Sequence, residues 1–152
     1  MDIFNHANEQ AAIWVKDMMT QLRTSDPKSA WRALRAGLQA LRDRLTIEEA
    51  TQLSAQMPLI IRGAFLEGWV TTGKPLRIRH KGEFLDLVAE KYGPRSGTMV
   101  DSHEATDIVV ALFRILEQHI SVGELTDIVM SLPEELCEMV TGRSRRETSL
   151  DH

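Results

Sequence analysis

Gly68, Gly73 and Lys74 stand at the spacing G-x-x-x-x-G-K, that of a loop whose backbone N–H groups cradle phosphate. Such a loop follows a strand, carries Ser or Thr after the lysine for Mg²⁺, and opens a helix. Here the preceding segment has a helical pattern, and Pro75 replaces the hydroxyl and pushes Lys74 away from α geometry. The motif reads as a turn. The histidines His6, His80, His103, His119 and His152 form no i, i+4 pair, and none follows a glutamate by three. Neither a two-histidine zinc helix nor a di-iron E-x-x-H element is present. His119 falls at the end of an expected helix, where a partial positive charge suits the dipole. Cys137 is the one cysteine, which excludes an internal disulfide and a multi-cysteine zinc site. Its place between Leu136 and Met139 reads as buried packing. The pairs Glu48/Glu49 and Glu134/Glu135 sit at helix starts, where the dipole accounts for them. No G-x-S-x-G is present. The chemistry assigned is therefore none: no catalytic residue, no cofactor, no metal ligand.

Charge and apolar side chains remain. Lys74, Arg77, Arg79, His80 and Lys81 crowd one segment, and Arg143, Arg145 and Arg146 another. With Arg32, Arg35 and Arg42 they form a candidate phosphate-binding strip. The competing reading is that they neutralise an acidic second half, within the molecule or between subunits. Residues 83–138 hold twelve acids and three bases, and the whole chain is −4. Such a balance disfavours wrapping nucleic acid around the molecule. Trp69 and Leu76 are the apolar candidates for contact; Trp69 either folds back on the core or anchors a partner.

These groups must be positioned by helices. A chain of 152 residues is of the size of one compact domain and can bury roughly 68–70% of its unfolded surface. Only 5% of residues are aromatic, which argues against a β sandwich or barrel. Apolar spacing, caps and breakers predict helices over about 8–22, 27–45, 47–56 and 58–68, then over about 83–92, 102–119, 122–132 and 133–142. Asp26-Pro27, Thr46-x-x-Glu49 and Ser121-x-x-Glu124 are start signals. Ala30, Ala33, Gly37 and Ala40 give the second helix a small face for close approach.

An offset of 75 aligns 30–65 with 105–140 without a gap. Ala36/Ala111, Leu41/Leu116, Glu49/Glu124 and Pro58/Pro133 are identical, and Thr46/Ser121 and Leu53/Ile128 are conservative. The expected architecture is all-α: one domain over 1–142, built as eight helices in two pseudo-symmetric four-helix repeats. The first repeat spans about 8–68, the linker 69–80 and the second repeat about 81–142, followed by a flexible tail, 143–152. The segment 108–113 is apolar nearly all round, the pattern of a central buried helix. The stripe Arg32, Arg35, Gln39 and Arg42 has Asp107, Val110, Arg114 and Glu117 as its counterparts, so it belongs to one half only.

Residues 1–8 lack a signal-peptide pattern, and the apolar segments 59–65 and 108–116 are too short to span a membrane. A soluble cytoplasmic protein is expected. The stretch from Leu41 through Thr46-Ile-Glu-Glu to Met57-Pro58, then Arg62-Gly-Ala-Phe-Leu-Glu-Gly-Trp69, and the stretch Ile120-Ser-Val-Gly-Glu-Leu-Thr-Asp-Ile-Val-Met-Ser-Leu-Pro133, resemble the family called domain of unknown function 2267. The resemblance covers about residues 10–140. Met57 stands where the family leads one to expect Leu, and Leu66 where a second aromatic is common. The resemblance implies a bacterial all-helical protein and brings no catalytic residue with it. The resulting expectation is a non-catalytic protein-interaction or self-associating module. Its candidate surface is Trp69, Leu76, Lys74, Arg77, Arg79, Lys81, Arg32, Arg35 and Arg42. A nucleic-acid binder using the linker and tail, and an enzyme with an unrecognised cleft, are the alternatives.

Overall fold

A computed structural model describes the backbone of residues 1–150 and the side chains of residues 1–148. Among these residues the protein is all-helical. A 3-10 turn, Asp2–Phe4, leads into α1 (Asn5–Leu22), α2 (Pro27–Arg44), α3 (Ile47–Ala55) and α4 (Leu59–Leu66). After the linker come α5 (Lys81–Tyr92), α6 (Ser102–His119), α7 (Val122–Ser131), α8 (Glu134–Thr141) and α9 (Arg145–Leu150). An isolated bridge between Arg95 and Thr98 is the only extended pairing among the described residues.

Local chemistry accounts for most boundaries. Asp26 caps α2 by accepting from the Lys28 N–H at 3.1 Å, and Pro27 occupies the first turn, where its missing donor costs nothing. At α3 the box is complete: Thr46 Oγ1 accepts from Glu49 N, and Glu49 Oε1 accepts from Thr46 N. Pro58 and Pro133 are N-caps of α4 and α8 rather than their first helical residues. The second expected box is only half made. Ser121 Oγ accepts from Glu124 N at 3.1 Å, but Ser121 N donates to Gln56 Oε1 at 2.8 Å, so Gln56 takes the place of the Glu124 carboxylate.

The tail expected after Gly142 is a further correction. Residues 145–150 form α9, which packs on α7 and α8. Ser144 and Glu147 cap each other's backbone N–H groups at 3.2 Å, an S-x-x-E box that the polar composition hid. The Arg145 guanidinium donates to Leu132 O, and the Arg145 N–H to Glu134 Oε1 at 3.0 Å. Residues 151 and 152 lie outside the described residues.

The centre is built by α1, α2, α5 and α6. α2 touches α1, α5, α6 and α4, and α6 touches α1, α2 and α5. Trp14, Met18, Leu34, Leu38, Leu41, Phe84 and Val88 are all buried there. α6 buries residues on several sides, from Ala105 and Ile108 to Ile115 and Leu116, as its apolar pattern predicts. The small face of α2 admits α6: a Cβ on Gly37 would stand 3.1 Å from Leu112 Cδ2. α3 meets α7, α4 lies on α1 and α2, and α8 lies on α6.

Candidate functional site

The three arginines of α2 were candidates for a surface strip. The structure turns them inward, to different degrees. Arg42 is 2% exposed. Its Nε and Nη2 bond Asp43 Oδ1 at 2.9 and 2.8 Å, and its Nη1 donates to Phe65 O and Glu67 O at 3.0 and 2.8 Å. Lys91 Nζ reaches the other oxygen of Asp43 at 2.9 Å. Arg42 thus satisfies carbonyls at the end of α4, which a helix terminus leaves without intrahelical donors. Arg32 donates to Tyr92 O at 2.7 Å and to Pro94 O at 3.2 Å, with its guanidinium 4.3 Å from the Tyr92 ring centroid. Arg35 pairs with Glu67 at 2.8 Å. A strip read from helical spacing becomes a set of staples, because the chain that returns over α2 offers carbonyl and carboxylate oxygens.

The linker divides likewise. Leu76 and Trp69 are half-buried and packed on the core, so the linker tryptophan folds back. Trp69 Nε1 is buried and has no hydrogen-bond partner among the described residues. Leu76 N donates to Asp43 O at 2.8 Å and Ile78 is buried, which straps the linker onto the end of α2. Arg77 and Arg79, alternating with Ile78, are exposed, as is Lys81, while Lys74 is half-buried. The Lys81 N–H donates to Glu135 Oε2 at 2.8 Å, at the start of α8. The segment Gly68 to Lys74 is a turn, with φ of 67° at Gly68 and 75° at Gly73, where glycine alone is unstrained. α4 precedes it, and the next helix begins only at Lys81.

Within the linker the exposed apolar side chain is Val70, at 61%; others lie elsewhere, where spacing gave no hint of them. Ile3 is 77% exposed, Phe4 58% and Leu59 66%. Ile3 and Leu59 flank a groove of about 570 Å³ that is also lined by Ala7, Trp14, Met57 and His119. His119 does sit in the last turn of α6, but its ring is held by α1 rather than spent on the terminal carbonyls. Its Nε2 is 2.7 Å from Asp17 Oδ2, and it stacks on Trp14 with centroids 4.9 Å apart. Trp14 and Asp17 are three apart on α1, so one helical face presents both. The Asp17 carboxylate orients an imidazole beside the groove, and the groove lining carries no serine or cysteine. Cys137 is fully buried, its Sγ 3.8 Å from Arg143 O and 3.9 Å from Thr148 Oγ1.

A family model described as "Uncharacterized conserved protein (DUF2267)" matches residues 11–139, from the middle of α1 to within α8. The chain belongs to the DUF2267 family. No curated protein matches it. The DUF2267 match takes in the α2 staples, the strapped linker and most of the groove, and leaves out Ile3, Phe4 and α9. No helix among the described residues is long and apolar enough to cross a membrane.

Proposed function

We propose that the protein is a non-catalytic interaction module that pairs with a second copy of itself through the groove between α1 and α4. The observation that carries this reading is self-complementarity on one face. A projecting apolar segment, Met1, Ile3 and Phe4, stands beside a groove lined by Trp14, Met57 and Leu59 and edged by His6, Gln10, Gln56 and His119. A two-fold pair uses the same patch on both copies, so the projection of each can enter the groove of the other. We further read the chain as a duplicated four-helix unit. The helix ranges recur in order, α1 to α4 and α5 to α8. The contacts α2 with α5 and α1 with α6 are those that a pseudo-two-fold exchanges.

Equilibrium sedimentation at micromolar to near-millimolar concentration tests the pairing. A monomer–dimer equilibrium is expected, with Leu59→Asp and Phe4→Asp each weakening it at least about tenfold, since each removes a buried apolar contact at the interface centre. A monomer at every concentration and salt rejects the reading. The nucleic-acid alternative keeps Arg77, Arg79 and Lys81 but loses Arg42 to the interior, along with much of Arg32 and Arg35.

A further inference from the structure

The two ends of the sequence repeat treat the same seam in opposite ways. On α2, Arg35 pairs with Glu67, Gln39 Nε2 donates to Ala64 O at 2.9 Å, and Arg42 donates to Phe65 O and Glu67 O. These bonds stitch α4 to α2. Seventy-five residues on, the corresponding residues of α6 are Val110, Arg114 and Glu117, which line a cleft together with Met139, Val140 and Thr141 of α8. Val110 has no donor, and a Glu117 carboxylate cannot donate to a carbonyl. Arg114 is exposed. Among the described residues no hydrogen bond from α6 repeats the stitching, and a cleft of about 530 Å³ opens between α6, α7, α8 and α9. Its walls include Val110, Phe113, Leu125, Val129, Met139 and Val140, with Thr148 of α9 on the far side. A volume of this size falls in the range of small-molecule sites, which pair apolar walls with a few polar groups.

Charge narrows the occupant. Residues 83–138 carry three bases, Lys91, Arg95 and Arg114. Lys91 is paired with Asp43 and Arg95 with Glu104. Arg114 has no carboxylate partner among the described residues, although it lies in the acidic half, and it borders the cleft, where Glu117 is the one carboxylate of the lining among the described residues. We propose that this cleft binds a small amphipathic anion. The apolar body lies among Phe113, Val129 and Met139, and the anionic head lies on the Arg114 guanidinium. Glu117, exposed beside it on α6, opposes the head and keeps the affinity modest.

The test is titration of the full-length protein with octanoate, 1-octanol and octylammonium, followed by calorimetry and by the methyl NMR signals of the methionines. Octanoate is expected to bind most tightly and octylammonium least, with the shifts centred on Met139 rather than on Met57 of the groove. Arg114→Gln is expected to weaken octanoate about tenfold and leave 1-octanol unchanged, the size of one charge-assisted hydrogen bond. Because Arg114 is exposed, this variant keeps the fold. Glu117→Gln is expected to tighten octanoate about twofold, as for removal of one exposed like charge. No octanoate binding at millimolar concentration, octylammonium equal to or tighter than octanoate, or shifts centred on Met57 each overturn the proposal. The dimer of the groove is read by sedimentation, so its failure leaves this result intact.

Discussion

Arg42 departs furthest from what its helical spacing predicts. Its spacing with Arg32 and Arg35 suggested a surface cation. It is instead closed off against Asp43 and the last carbonyls of α4. A buried pair of this kind adds little net stability compared with an apolar pair, but removing one member leaves the other charge and its acceptors uncompensated. Arg42→Met is therefore expected to cost about 3 kcal/mol, toward the low end for a broken buried pair because Lys91 still reaches Asp43. Urea unfolding measures it. A loss below about 1 kcal/mol would mean that the guanidinium is not doing this structural work. Trp69 turns inward as well: it packs on the core, while its neighbour Val70 and, away from the linker, Ile3, Phe4 and Leu59 are exposed. Phe4 and Ile3 precede the first apolar period, so periodicity had no purchase on them.

At the scale of helices, the caps were the most legible feature, because a cap is decided within four residues. Asp26-Pro27 and the Thr46/Glu49 box stand as read. The start of α7 does not, because Gln56 lies far off in sequence and reaches Ser121 first. The Glu124 carboxylate is left without its capping role. Partial burial, then the Asp127 charge, then Glu49 across the α3–α7 contact push its pKa above the ordinary glutamate value. A raised carboxyl pKa means that the fold opposes ionisation, so the penalty is absent while the group is protonated in both states and full once pH exceeds the folded value. Glu124→Gln is expected to raise the melting temperature at pH 7 and to leave it unchanged near pH 3.5. Thermal unfolding at the two pH values reads the difference, and an equal effect at both would assign it to packing. α9 was illegible for a different reason: its six residues, five of them polar, carry no apolar period, and the helix is held by its box and by Arg145 on Leu132 and Glu134.

For the whole molecule, α2 is the shared element. It packs on helices of its own half and on α5 and α6 of the other, and a Cβ on Gly37 would crowd Leu112 at 3.1 Å. A fragment of residues 1–80 would expose that face, at about 1.5–3 kcal/mol for each large apolar side chain returned to water. Such a fragment is expected to show no cooperative melt by circular dichroism. A sharp transition would mean that the halves fold independently. Binary pattern, turn residues and the 75-residue offset are local or self-referential properties of the chain, and from them the all-helical class, the caps and the buried character of α6 could be read directly. Which polar side chains stay at the surface could not, because exposure depends on what a distant segment supplies. α4 brings carbonyls to Arg42, α1 brings Asp17 and Trp14 to His119, and α6 makes no hydrogen bond to α8 among the described residues and leaves a cleft. Only packing decides such pairings, since the partners lie tens of residues apart and no spacing rule connects them.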